Sequence, residues 1–331
     1  MQAGLNSEEA HLLTDCMLVA DLRGIGSHGI SRLRTYSNRV KSGVISSGVT
    51  PKIISESNAA VAVDGMNGVG PMIGKWMMDL CVQKAKEHGS CFATAKHGNH
   101  FGIGAYYTMQ AAQSDMIGIA MCNCEASVVP YGGAVPMLGT NPLSVALPAK
   151  KHPNYVLDMA TSVVARGRIV LAQKKGEPIP ADWAVDKNGA PTSDPDEAFG
   201  GALLPFGGAK GYAIGLLIDI LCSCLAGALD CRKTNRFWDD FVNPQDSGFF
   251  MGAFDISKFV DIDIFKQKVD TMFDEFKSCP PAPGFKEVMI PGEIEHLTQK
   301  KNEQEGIGLS DAVVRDLCKL AEEYKLSHLF G

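Results

Sequence analysis

Residues 60–74 read AVAVDGMNGVGPMIG, an apolar run that passes through an acid into closely spaced glycines and then a helix-like pattern. Strand, glycine turn and helix in that order open a dinucleotide-binding βαβ unit, so the glycine spacing decides which kind of α/β fold this is. The glycines stand at Gly68, Gly70 and Gly74, one residue longer than G-x-G-x-x-G. That fingerprint also needs an Asp or Glu about 20 residues on, ending the next strand, to hold ribose hydroxyls. Here the next apolar run, SCFATAK (90–96), leads into His97-Gly98-Asn99-His100 with no acid. The segment reads as a plain strand-to-helix turn, and any dinucleotide site lies elsewhere.

On the N-terminal side, Asn6 and Ser7 ahead of Glu8 and Glu9 predict a capped helix to about Leu22. GIGSHGISRLR (24–34) predicts a second helix, capped by Ser27 and running to about Lys41. His28 then sits in its first turn with Arg32 four residues on, over the same face, and the dipole there disfavours an imidazolium. On the C-terminal side the pattern gives helices over 71–87 and 102–113 and strands over 116–123, 142–149 and 155–160. Asn188-Gly189 marks a hairpin within 185–192, and Ser193-Asp194-Pro195 a helix start. Residues 212–229 are the most apolar stretch, broken by Asp219 and barely as long as the ~18–20 residues of a membrane span, so they predict a buried core helix. A strand at 248–256 and helices over 262–277 and 310–325, the last capped by Ser310, complete the order. QKKNEQEG (299–306) reads as a solvated loop. Strands and helices alternate without a clean βαβ series, which predicts a three-layer α/β/α architecture with a mixed sheet.

The 331 residues, 45% hydrophobic and 21% charged, suit a folded globular protein of one large domain or two packed ones. A formal charge of −6 argues against a general nucleic-acid binder while leaving room for local anion pockets. The ten cysteines form no CxxC pair and sit mostly in apolar segments, as reduced thiols do. Acids stand where a secretory signal would carry basic residues. A soluble, cytoplasmic protein without membrane association is expected.

Four clusters can carry chemistry. Ser27, His28 and Arg32 place an imidazole beside a guanidinium, which is either a reactive pair or a solvated helix start. HGNHFG (97–102) follows a strand, where α/β ligands gather. His97-x-x-His100 and Cys122-x-Cys124 lack further ligands at standard spacing, so no metal is expected, and a metal-dependent hydrolase is the competing class. No GxSxG elbow occurs. PFGGAKGY (205–212) puts glycines and Lys210 ahead of an apolar helix, an anion-attracting arrangement that is not a Walker loop. In MIPGEIE (289–295), Glu293 sits at a turn and could hold sugar hydroxyls.

The order of ADLRGIGSHGISRL, HGNHFGIGAYY, LGTNPLSVALP, LDMATSVVARGRI, WAVDKNGAPTSDP, LPFGGAKGYAIGLLIDIL and PGEIE resembles the malate/L-lactate dehydrogenase family over nearly the whole chain. That family also includes ureidoglycolate, sulfolactate, diketogulonate and imine-carboxylate oxidoreductases. The resemblance implies the non-Rossmann, L-sulfolactate dehydrogenase-like fold, with a helical segment 1–55 carrying SHGISR, an α/β core 56–296 with the cofactor pocket, and a C-terminal helix within 297–331 packing on the N-terminal segment. It implies an NAD-dependent enzyme, NADP being possible, acting on an L-2-hydroxy acid, malate first, with ureidoglycolate, lactate or an imine carboxylate as alternatives. It places the general acid/base at His28, with His100 lining the pocket and polarising the carbonyl, or alternatively at His100, which takes the proton-transfer role in some members, and it places the substrate carboxylate on Arg32 beside Ser27. Malate needs a second cation, for which Arg23 or Arg34 is available. The cofactor pocket is implied at Asp158, Met159, Ala160, Thr161, Ser162, Lys210, Gly211, Gly292 and Glu293, walled by Asn123, Cys124, Thr140 and Asn141. Family members are homodimers, and they carry further residues ahead of the first helix, so one edge of the pocket is expected to be shorter here.

Overall fold

Asn6 starts the first helix, α1 (Ser7–Leu22), as expected: its side chain accepts from the Glu9 N–H while Glu9 reaches back to the Asn6 N–H. That reciprocal capping box satisfies two donors that a helix start leaves orphaned. In this computed structural model, which describes residues 1–326, the second helix begins later than the sequence predicts. A 3-10 turn, Ile30–Arg32, leads into α2 (Leu33–Lys41), and Ser27 caps neither.

The chain then builds β1 (Lys52–Glu56), β2 (Ala60–Asp64), α3 (Gly70–His88), β3 (Ser90–Gly98), α4 (Ala105–Gln113), β4 (Met116–Cys122), β5 (Leu143–Leu147), β6 (Tyr155–Met159) and α5 (Arg166–Lys175). Next come β7 (Ala184–Val185), α6 (Pro195–Gly200), β8 (Ala202–Leu203), α7 (Ala209–Asp219), β9 (Ser247–Asp255), α8 (Ile262–Lys277), α9 (Glu293–Glu305) and α10 (Asp311–Glu323). Seven strands form one sheet in the order β1-β2-β3-β9-β4-β5-β6, and β7 and β8 form a small separate ribbon. Within the large sheet β2–β3 is the parallel pair and the other neighbours are antiparallel. A mixed sheet with flanking helices is the architecture the sequence predicts. β9 runs through the sheet's middle, and Phe249, Met251 and Ala253 bury with Met77, Met78 and Cys81 of α3 and Ala93 and Ala95 of β3.

The opening glycine turn has a packing purpose. A Cβ on Gly70 would lie 2.1 Å from the His100 carbonyl oxygen and 2.5 Å from that of Asn99, and one on Gly74 would lie 2.6 Å from the Tyr107 ring. The glycines let α3 press against the backbone of the HGNH segment and against α4.

One strand lies where the sequence sets no expectation, and two expectations are corrected. The edge strand β1 had no sequence signal because all five of its residues are exposed. Residues 299–305 belong to α9 rather than a loop; Asn302 Nδ2 donates to the Asp21 and Leu22 carbonyls and ties that polar helix to the end of α1. The stretch 212–229 is not a buried core helix: α7 passes into a π-helical segment, Ile220–Leu225, and Leu216, Leu217, Ile220 and Leu225 are exposed. Arg34 of α2 pairs with Asp316 and Glu323 of α10, joining the two chain ends. All ten cysteines are free thiols, and no helix among the described residues is long and apolar enough to cross a membrane.

Candidate active site

Asp21, in the last turn of α1, organises the SHG turn. Its Oδ2 accepts the Ile30 N–H at 2.7 Å, and a Cβ on Gly29 would fall 1.9 Å from its Oδ1, so glycine alone fits there. The turn lays the His28 ring parallel to the His100 ring, with centroids 5.6 Å apart and planes 14° apart. His28 Nδ1 lies 2.9 Å from Ser27 Oγ. Arg32 folds back so that its Nε donates to the Ser27 carbonyl at 2.5 Å, while its guanidinium lies 4.1 Å over the Trp238 ring. Among the described residues, its Nη atoms have no hydrogen-bond or ion-pair partner. His28 and Arg32 thus meet without sharing a helix.

His100 comes from the segment after β3. Its Nδ1 is 2.5 Å from the Tyr36 hydroxyl, and its ring stacks on Phe237 at 4.2 Å and meets Trp238 edge-on at 6.0 Å. Burial pulls the His28 pKa down to about 4, with Arg32 adding to the effect, which replaces the helix-dipole cause expected from the sequence. Burial also holds His100 well below the usual imidazole range, helped by His28, Arg32 and Arg39. Both rings are neutral at pH 7.

Tyr36, Phe237 and Trp238 were not singled out in the sequence. The available signals were Tyr36 four residues after Arg32 and an aromatic pair, FW, inside an otherwise polar segment. His97 goes elsewhere, with Nδ1 2.9 Å from Asp64 Oδ1 and its N–H donating to Asp246. It lines a 390 Å³ cleft with Asn67, Asn235 and Asn243. The HxxH pair is thereby split between two places. Of the candidate second cations, Arg34 is held by its two acids, and Arg23 is buried with Nη1 3.5 Å from Gln299 Oε1.

The residues implied for a cofactor fall into three groups. Cys124, Thr140, Thr161 and Ser162 are linked through adjoining loops: Cys124 Sγ lies 3.3 Å from Thr140 Oγ1, the Thr161 N–H and hydroxyl donate to the Thr140 carbonyl, and Thr161 accepts from Phe206. Gly211 adjoins them, since a Cβ there would lie 2.1 Å from the Phe206 carbonyl oxygen. Lys210, exposed and without an ion-pair partner among the described residues, stands in the first turn of α7, whose N-cap Gly208 supplies no side-chain acceptor. Asn123 and Asn141 are wholly buried and spent on the scaffold: Asn123 Nδ2 donates to Asp219 and Leu229, and Asn141 Nδ2 to the Gly215 carbonyl. Asp158 lies on β6, with Gly292 and Glu293, at the start of α9, packed beside that strand. Asp158 accepts the Ala105 N–H at the start of α4, and burial lifts its pKa to about 6. Gly292 packs on Val156 with left-handed backbone, φ 89°, and Glu293 pairs with Lys277 at 2.7 Å. Met159 and Ala160 lie half-buried between these groups.

The sequence model of the malate/L-lactate dehydrogenase family matches residues 1–318. The chain belongs to that family. It is 40% identical over 327 residues, 98% of this chain and 93% of the other, to the malate/(S)-sulfolactate dehydrogenase of Methanothermus fervidus. It is 33% identical over 316 residues, 96% of this chain and 90% of the other, to the NAD(+) ureidoglycolate dehydrogenase of Escherichia coli O157:H7. The solved sulfolactate dehydrogenase of Methanocaldococcus jannaschii superposes with a TM-score of 0.92 at 38% identity, covering 98% of this chain and 93% of that one. The protein is therefore an oxidoreductase of a hydroxyacid dehydrogenase family, and its fold is that of the sulfolactate and malate enzymes. Relatives at similar identity act on different acids.

The residues fit a nicotinamide dinucleotide, the redox partner usual in this family. An uncapped helix start beside an unpaired lysine attracts a phosphate group, and Arg23, 5% exposed, keeps a buried Nε without a partner.

Proposed function

We propose that this protein interconverts an L-2-hydroxy acid and its 2-oxo acid with NAD, or alternatively NADP, and that malate and oxaloacetate are its substrates. One observation carries the reading: two neutral imidazoles stacked 5.6 Å apart beside a guanidinium with open Nη donors. A bound nicotinamide supplies the hydride acceptor or donor. The substrate carboxylate takes the two Nη groups of Arg32 as a bidentate fork, with Ser27 fixing the Arg32 Nε. In oxidation, His28 Nδ1–H donates to Ser27 Oγ, which leaves Nε2 to take the hydroxyl proton as hydride leaves the same carbon. In reduction the proton returns from Nε2.

His100 polarises the carbonyl. Burial holds the Tyr36 phenol protonated, and with its oxygen 2.5 Å from His100 Nδ1 we assign it as the donor, which puts the proton of the neutral ring on Nε2. Cys124, Thr140, Thr161, Ser162, Lys210 and Gly211 would hold the cofactor at one end, with Asp158, Met159, Ala160, Gly292 and Glu293 along β6. Asn123 and Asn141 would act by holding that wall. The segment 1–55, with α9 and α10, would roof the core. The exposed apolar face of α7 supports a homodimer, and ten free thiols support a cytoplasmic setting.

His28→Ala is expected to abolish turnover while leaving reduced-cofactor affinity nearly intact in a fluorescence titration. Near-normal turnover would move proton transfer to His100. A panel of 2-oxo acids against NADH and NADPH, followed by nicotinamide absorbance, separates malate from the ureidoglycolate, lactate and imine-carboxylate alternatives. Oxaloacetate ranking below another acid would reject the malate assignment.

A further inference from the structure

Arg39 has no exposed surface, yet among the described residues its guanidinium meets no carboxylate in an ion pair. It goes instead to the carbonyls of a single loop. Nη1 donates to Arg236 and Phe237 at 3.3 and 3.4 Å and to Asp240, and Nη2 donates to Asn243 at 3.5 Å. The neck of that loop is closed by Asn235, whose N–H donates to the Gln245 carbonyl at 3.1 Å and whose Nδ2 donates to Pro244 at 2.7 Å. Its tip is fixed by Asp240 Oδ1, which accepts from the Val242 and Asn243 N–H groups. A buried cation is costly to desolvate, and spreading its donors over backbone carbonyls offsets that cost only while the loop keeps one shape.

The loop so held carries the residues that touch the site. Phe237 stacks on His100 at 4.2 Å, and Trp238 covers one face of Arg32 at 4.1 Å. With one face on an indole and Nε on the Ser27 carbonyl, the Arg32 fork has little freedom to turn, and its Nη edge is presented in one direction.

We infer that Arg39 is a positioning residue: it clamps loop 235–245 so that Trp238 holds the Arg32 fork in register with the substrate carboxylate. The inference rests on the reading of Arg32 as the carboxylate grip. Lysine cannot replace Arg39, because one ammonium cannot span carbonyls from Arg236 to Asn243.

The test is a double-mutant cycle on the full-length enzyme with oxaloacetate and NADH, using Arg39→Lys, Trp238→Leu and both together. Each single variant is expected to raise KM for the oxo acid by about tenfold, the scale of a lost guanidinium–aromatic contact, with NADH affinity unchanged. The double variant is expected to match Trp238→Leu within about twofold, since coupled residues are non-additive. Independent, multiplying losses overturn the inference. So does an Arg39→Lys enzyme that melts earlier but keeps its KM, and so does an unchanged KM in Trp238→Leu. Should Arg39→Lys not fold, Asp240→Ala takes its place in the cycle, loosening the loop tip while keeping the Arg39 side chain and the backbone carbonyls it bonds. Arg32→Lys is the control for the underlying reading. An unchanged KM there rejects Arg32 as the grip, whereas a raised KM there with a multiplying cycle rejects the clamp alone.

Discussion

His28 and His100 lie as parallel rings 5.6 Å apart, and in the proposed mechanism the protonation of His28 sets which direction each form of the enzyme can start. In the free enzyme the His28 pKa is pulled down to about 4 by burial first and Arg32 second. The kcat/KM for hydroxy-acid oxidation reports the free enzyme, so it is expected to stay flat from neutral pH to about pH 5 and to halve near pH 4. Reduction needs the protonated ring and is expected to fall steadily as pH rises. Rate profiles in both directions check this; an oxidation limb centred on the ordinary imidazole value, pH 6.5, would mean that the proton acceptor is not His28. The same depression links to folding. Both imidazoles resist protonation in the fold, so their contribution is present above the unfolded-chain pKa and is lost as acidification proceeds toward the folded value. That the imidazole and guanidinium come together was legible in the sequence, from their four-residue spacing in a glycine-rich turn. Their geometry was not: the expected shared helix does not exist, and Asp21, nine residues from Ile30, sets the turn instead.

Elements with an apolar period were readable, and those held by polar tertiary contacts were not. The amphipathic α8 and α10 carry their own signals, including the Ser310 cap. The strand pattern of β2, buried at Val61 and Val63, was equally plain. α9 buries no residue fully, so its sequence looks like solvated loop. It docks through Asn302 onto the last carbonyls of α1 and through Gln299 onto Arg23. The arrangement yields an element-scale prediction. Asn302→Ala removes both donors to the α1 terminus and is expected to cost about 1 kcal/mol, or roughly 2–4 °C of Tm. A thermal melt measures it, and an unchanged Tm would mean that α9 is held by its other contacts. The glycine turn at 65–74 shows the same limit from the other side. Its spacing excluded a dinucleotide fingerprint, but the reason for the glycines, close approach to the His100 and Asn99 carbonyls, exists only in the folded chain.

At the scale of the molecule, the segment from α7 into Ile220–Leu225 is the feature that an isolated subunit leaves unexplained. Leu217 and Leu225 are 52% and 60% exposed, with Leu216 and Ile220 beside them on the same continuous segment. A single exposed leucine needs no explanation, whereas such a row marks a surface that another surface covers. A second copy of this chain is the covering surface that the proposed homodimer supplies. Leu217→Glu together with Leu225→Glu places two charges in that contact, each of which would have to be desolvated on association. Wild-type protein is expected to sediment as a dimer at micromolar concentration and the double variant as a monomer with an unchanged far-ultraviolet spectrum. Because Lys210, proposed to bind the cofactor, stands in the first turn of α7, monomerisation is also expected to weaken reduced-cofactor binding, which the fluorescence titration measures on the same samples. A wild-type monomer would remove the homodimer from the proposal. A monomeric variant with full affinity would show that the Lys210 turn holds its shape without a partner.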